Sequence, residues 1–339
     1  MLLERRRLSP AEAISRLTPL QGQDSPAPYI ALAARLDGFE PAQLEAAIGA
    51  GEVVKVTIMR LTLHLVAGAD YPAFHQLSRQ TRMRKWRKDY AHLDEERVKA
   101  ELNAFLGEPR SNNDIREFVL ERYKGVPTDH EWHAIMFARS LLPLVHLPPA
   151  GYWRERHRPR FAVDPRPLPD PGDAATLALE RYLAAFGPAS KRDVAAWAGV
   201  AQRDFAEAWE RLDTVSFRDE NGLELLDLPD QPLPPASTKL PPRFLARWDQ
   251  PLLAYADRDR IIPPELGPLR LTLSGDQTVT ADGRVAASWK LERRARGLKV
   301  VIEPHTDIPK RAHAQIRAEA KRTALFAEPE AERVEVAGL

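Results

Sequence analysis

The chain has 339 residues, 44% hydrophobic and 29% charged, with a net charge of +1. This composition fits a folded, water-exposed protein of roughly two to four compact units and excludes a disordered chain. The absence of cysteine removes disulfides, thiolate catalysis, iron–sulfur clusters and cysteine-held zinc.

No run approaches the ~18 apolar residues of a membrane span, and Met1 to Arg7 lack the apolar stretch of a signal peptide. The nine histidines show no metal-ligand spacing. A cytoplasmic protein with no metal and no cofactor is therefore expected.

Ser9 and Glu12 form the first helix-start pattern, opening a helix over 10–17. Then comes Leu20-Gln21-Gly22-Gln23-Asp24-Ser25-Pro26, two glutamines bracketing a glycine before a second helix start. Asp24 or Ser25 is placed to cap a helix over 25–37, with Pro26 in its first turn and Tyr29, Ile30, Leu32, Ala33 and Leu36 at helical spacing. The glutamine loop thus ends on a helix N-terminus, a position that suits an anion such as a DNA phosphate and equally an ordinary turn. A helix over 41–48 stops at Gly49-Ala50-Gly51, and the alternating run 54–66 reads as strand. Arg60 and His64 lie on that run; Arg60 suits a phosphate, and His64 is either a structural histidine or a DNA-facing one.

Two further segments repeat the plan. Helices over 111–123 and 129–140, each with a start pattern (Ser111–Asp114 and Thr128–Glu131), precede strand-like 143–147. Ser190–Asp193 then opens a helix over 191–198; Gly199 breaks it, a helix over 202–212 follows, and 215–217 and 223–226 form a hairpin around Asp219 to Gly222. Helix, turn, helix and strand pair is the winged-helix arrangement, here three times in one chain. Proline-rich joints at 159–171 and 229–242 separate units and should be stiff.

The last part carries short strands near 251–255, 269–273, 277–280, 284–289 and 298–303, which suggest a small antiparallel sheet or barrel closed by a helix over 308–326. The expected boundaries are 1–88, 89–170, 171–240 and 241–339 in an α+β chain.

Positive charge is clustered. Arg82, Arg84, Lys85, Arg87 and Lys88 stand together with no acid from 82 to 88, and Arg154, Arg156, Arg158 and Arg160 surround a single Glu155. From Lys290 to Arg322 there are ten Lys or Arg against four acids. Each cluster alone reads as a solvated helix face, but three together point to a polyanion. Trp86 reads as packing rather than base stacking. Arg284, on a 277–284 hairpin turning at Ala281-Asp282-Gly283, is placed to probe a minor groove or to sit in a plain β-turn.

Several separated blocks give a resemblance covering nearly the whole chain. They are Leu20 to Asp24, Met59 to Val66, Phe186 to Ser190 with Trp197, Phe244 to Leu253 leading to Asp257 through Pro264, and Asp282 to Trp289. In this order they resemble the bacterial family of winged-helix DNA glycosylases that includes AlkZ and YcaQ, associated with bulky alkylated bases and crosslinks. The resemblance implies three tandem winged-helix modules in a C-shaped arrangement around duplex DNA, with a small C-terminal antiparallel β-barrel-like element. It makes Gln21 and Gln23 the catalytic pair. The chain differs from the family pattern at Gly22, where a hydrophobic residue is usual, and at Leu61, where glycine is frequent.

Glutamine is a poor proton-transfer group, so such a pair suits a leaving group that needs no acid. An N3- or N7-alkylated purine is already cationic and leaves C1′ as a neutral base. Two amide oxygens then suffice to place a water against the oxocarbenium-like sugar, with phosphate charge assisting. Asp24 is the nearest carboxylate, either a base or a helix cap. No lysine neighbours the motif in sequence, so a monofunctional glycosylase acting as a monomer on alkylated duplex DNA is expected. The alternatives are a regulator built of tandem winged helices or a damage binder that has lost activity through Gly22.

Overall fold

The computed structural model describes residues 1–126, 131–154, 158–267, 274–295 and 297–339. Helix α1 (Pro10–Leu17) starts where Ser9 accepts the N–H of Glu12 while Glu12 accepts that of Ser9, and it buries Pro10, Ala13, Ile14 and Leu17 along one face. The two-residue strand β1 (Leu20–Gln21) follows, then α2 (Ala27–Ala33), all of whose residues are buried. No side chain caps α2; the Ala27 N–H is taken by the Asp24 backbone carbonyl at 3.0 Å, so neither Asp24 nor Ser25 is the side-chain cap expected. Helix α3 (Pro41–Gly49) completes the N-terminal helices.

The run read as one strand over 54–66 is a hairpin. β2 (Val53–Thr57) and β3 (Leu63–Ala67) pair antiparallel around a 3-10 turn, Met59–Leu61, in which Arg60 and Leu61 hold φ of 53° and 57°. Every residue of β2 is buried, because one face meets the N-terminal core and the other meets a second core. Alternation in the sequence therefore marks two buried faces rather than one wet face.

Three long helices lacked a clear signal in the sequence. Helix α4 (Tyr71–Asp89) runs straight into the basic cluster, burying Met83 and Trp86 on one side of it. Helix α5 (Glu95–Phe105) follows, then the short strand β4 (Arg110–Ser111), α6 (Asn112–Arg122) and α7 (Glu131–Leu141). The pattern at Ser111 caps α6 as expected; Thr128 lies outside the described residues. β5 (Leu144–His146) and β6 (Arg160–Val163) join the earlier strands in one antiparallel sheet of order β1-β3-β2-β5-β6-β4. Sheet pairing thus runs directly between 1–88 and 89–170.

Helix α8 (Pro171–Phe186) packs on α4, and α9 (Lys191–Ala198), opened by Ser190 and Asp193, stops at Gly199 with φ 71°. A 3-10 turn at Gln202–Phe205 leads into α10 (Ala206–Arg211), and β7 (Val215–Arg218) and β8 (Glu224–Asp227) form the expected hairpin.

The C-terminal sheet has the order β13-β12-β11-β10-β9, from β9 (Arg243–Leu245), β10 (Gln277–Ala281), β11 (Arg284–Arg294), β12 (Gly297–Pro304) and β13 (Val334–Ala337). All pairs are antiparallel except β12 with β13, and among the described residues the sheet does not close on itself. The stretch expected as a strand near 251–255 begins in a 3-10 turn, Gln250–Leu252, and 269–273 lies outside the described residues. A terminal helix, Lys310–Ala327, lies on this sheet.

The first core joins the two ends of the chain. Ile14, Leu32 and Leu44 share it with Val279, Ile302 and Ile316. Arg35 and Asp249, 1% and 3% exposed, make a two-pronged ion pair at 3.0 and 2.7 Å inside it. The neighbouring Gln250 side chain donates to the Pro19 carbonyl, so residues 249–250 fix the backbone just before β1.

Candidate active site

β1 lies on the outer side of β3 with Leu20 opposite Leu65 and Gln21 opposite His64. The chain then turns away through Gly22, whose N–H donates to the Leu63 carbonyl at 2.7 Å. The Gln21 side-chain oxygen accepts the Gln23 N–H at 2.6 Å. Gln21 is buried, at 9% exposure, whereas Gln23 is exposed and its side-chain oxygen takes only a long contact, 3.4 Å, from the Leu63 N–H.

Gln23 lines two cavities. One, about 820 Å³, opens toward α6 and α7 and reaches Arg116, Arg139 and His146. The other, about 700 Å³, opens toward the C-terminal sheet and includes Asp24, Trp153, Gln277 and Trp289. An added Cβ on Gly22 would meet its first neighbours, in His64 and Leu65, at 3.5 Å, an ordinary contact, so glycine is not sterically required there. Asp24 is half-buried, with its carboxylate 3.8 Å from the Arg247 guanidinium.

His64 is fully buried, its Nδ1 3.0 Å from the Thr62 carbonyl, and burial together with the nearby Arg60 charge pushes its pKa down to about 3. It is a neutral interior group that faces no solvent. Arg60 does not share its strand face: it sits on the left-handed turn and donates to the Trp197 carbonyl, locking the hairpin tip onto α9. Burial lowers the Arg60 pKa to about 10.

The basic run is largely engaged within the protein. Arg84 binds Asp204 through both Nη atoms at 3.0 and 2.9 Å, Arg87 binds Glu95 at 2.8 Å, and Lys85 pairs with Asp89 at 2.5 Å. Arg82 is buried, so it is not a surface phosphate ligand in this conformation, and Lys88 is exposed. Arg154 pairs with Glu328 at 2.9 Å on the wall of the second cavity, Arg158 is exposed, and Arg156 lies outside the described residues. Arg284 donates to the Asp259 carbonyl at 2.9 Å beside a hairpin turn where Asp282 and Gly283 both have positive φ. Trp86 is buried among Tyr90 and Phe137, as its packing role requires.

Sequence reasoning missed Arg139 and His146, which line the first cavity. Their signal was an arginine among the apolar residues Ala134, Phe137, Ala138 and Leu141, which puts a cation on the inward face of α7. Among the described residues no group of three or more His, Asp or Glu could hold a metal ion, and no helix is long and apolar enough to cross a membrane.

The glutamine loop thus lies between two cavities on the edge of the first sheet. The family model described as DNA glycosylase AlkZ-like matches residues 14–326. The chain belongs to the AlkZ-like DNA glycosylase family. Membership makes it a DNA repair enzyme acting on DNA rather than a regulator built of tandem winged helices. Among solved structures it is similar to the Streptomyces sahachiroi DNA glycosylase AlkZ, with a TM-score of 0.79, 19% identity, and coverage of 99% of this chain and 95% of that one. At that identity the likeness speaks for a shared AlkZ-like fold. No curated protein matches the chain.

Proposed function

We propose that this AlkZ-like glycosylase is monofunctional and hydrolyses the N-glycosidic bond of bulky or crosslinked N-alkylated purines in duplex DNA. The observation that carries this reading is the exposed Gln23 side chain between two large cavities, on a loop fixed by Gln21 and Leu63. The C1′–N bond breaks with its electron pair going to the cationic base, which leaves neutral. Water oxygen bonds to C1′, and its proton leaves to solvent or to Asp24, which lines the second cavity with Gln23. Gln23 supplies the amide oxygen that orients the water and faces the developing positive charge. Gln21, its oxygen already accepting the Gln23 N–H, is a positioning residue.

Lys55 stands across β3 from Leu20 through Leu65, but it is buried and lines neither cavity, which favours water over a lysine nucleophile. We further read the chain as three winged-helix modules, 1–88, 89–170 and 171–240, with a β-rich element at 241–339, forming a C-shaped monomeric clamp. The helix pairs α6–α7 and α9–α10 and the β7–β8 wing support that division. Excision of N7-methylguanine and unhooking of a nitrogen-mustard crosslink test the reaction: Gln23→Ala should abolish release while retaining DNA binding, and full excision by Gln23→Ala would overturn the role given to it.

A further inference from the structure

We propose that the floor of the first cavity is a subsite for a DNA phosphodiester flanking the lesion, with Arg139 as its principal ligand. The cavity has Gln23 on one wall and Arg116, Arg139 and His146 on others, and among the described residues no Asp or Glu lines it. Arg139 is 7% exposed; its Nη2 lies 2.9 Å from His146 Nε2, and its guanidinium sits over the Phe161 ring at 4.9 Å. Among the described residues its Nε has no hydrogen-bond partner, and no carboxylate is among the groups that act on its charge. Burial and the adjacent Arg139 charge hold His146 well below the usual histidine range, so it accepts from Arg139 as a neutral ring and brings no compensating charge.

A desolvated cation without a counter-ion is costly, and it lines a cavity large enough for a ligand. The anion every DNA substrate carries next to a damaged base is its own phosphodiester. Asn112 and Asn113, in the first turn of the eleven-residue α6, border the same cavity and offer it side-chain amides. A cationic N-alkylated purine is repelled from this wall. The damaged base then belongs on the opposite side of Gln23, in the second cavity, where Asp24 and Trp289 stand and the lining Arg154 and Arg293 are both paired with Glu328.

The inference rests on the glycosylase reading above. Its test uses duplexes carrying a stable tetrahydrofuran abasic analogue, with single phosphates within three nucleotides of it replaced by neutral methylphosphonate. With the wild-type protein, one replacement should weaken binding by about tenfold more than its neighbours, the scale of a hydrogen bond to a charged group. It should also reduce the log–log salt slope by about 0.9. In Arg139→Gln, or in Arg116→Gln should the first variant not fold, that phosphate should no longer stand out. Uniform losses at every phosphate with the wild type, or a site-specific loss that persists in the variant, would overturn the subsite. Release of N7-methylguanine is measured in parallel, so that failure of the catalytic reading appears separately as absent excision with the phosphate preference intact.

Discussion

The side-chain oxygen of Gln21 accepts the backbone N–H of Gln23 at 2.6 Å, so the first glutamine of the motif holds the second in place. On the role proposed for Gln23, Gln21→Ala should lower excision by loosening it, with a smaller loss than the ~10²-fold or greater drop expected for Gln23→Ala. Single-turnover rates on one N7-methylguanine duplex separate them. An equal or larger loss for Gln21→Ala would instead make Gln21 the group that meets the substrate.

Gly22 tolerates a side chain. A Cβ there finds only ordinary contacts, so Gly22→Ala should leave excision intact and raise stability by about 0.4–1 kcal/mol through a less flexible unfolded chain. A denaturant titration reads this directly; a drop in midpoint would show that the loop needs glycine.

Gly199 is the opposite case. Its φ is 71°, and an added Cβ would lie 2.7 Å from Arg60 Cγ and 2.9 Å from the Arg60 backbone nitrogen. Gly199→Ala should prise α9 from the hairpin tip that carries Leu61 and Leu63 to the cavity beside Gln23. The expected result is a loss of more than about 1 kcal/mol of stability together with reduced excision.

Removing one partner of the Arg35–Asp249 pair leaves a buried charge unopposed. Asp249→Ala should cost about 3–5 kcal/mol, whereas Arg35→Met with Asp249→Leu should recover much of the loss. Urea midpoints of Arg35→Met, Asp249→Leu and the double variant form the cycle, and additive losses would mean that the pair is not coupled.

Three buried histidines make the fold acid-sensitive. His64 is pushed down to about 3, and His75 and His146 also lie well below 6.5, in each case chiefly through burial. The unfolded chain binds protons below its histidine pKa of about 6.5 while the folded protein does not. Stability is thus fully present above that pH and falls as the pH drops toward 3. For His64 alone the loss at pH 5 is roughly 2 kcal/mol. Unfolding midpoints at pH 7.5 and 5 should differ strongly in the wild type and less in His64→Gln.

Local signals were legible where a single residue decides a local conformation. Ser9, Ser111 and Ser190 each start a helix because their hydroxyls replace a missing backbone partner, and Gly199 stops one because it enters the left-handed region freely. Helices α4, α5 and α8 escaped notice because their buried faces are broken by charged or small residues, as α4 is by the buried Arg82. The break between β2 and β3 was hidden because both faces of the hairpin are covered, one by residues more than two hundred positions away. The candidate glutamines were visible as a pattern, but their inequality was not: only tertiary placement buries Gln21 and exposes Gln23. Arg139 escaped for the same reason, since its cavity forms between two sequence units.

The shared core of the N-terminal helices and the C-terminal sheet bears on how the enzyme is made. While the chain is being synthesised, α1 to α3 can pack early on β2, β3 and α8, but the wall made by Val279, Ile302 and Ile316 emerges late, and Arg35 waits for Asp249. The contact of Gln250 with Pro19, just before the glutamine loop, spans more than two hundred residues and so forms late. A chain lacking 241–339 would carry the glutamine loop without the Gln250 contact behind it and with Arg35 unpaired.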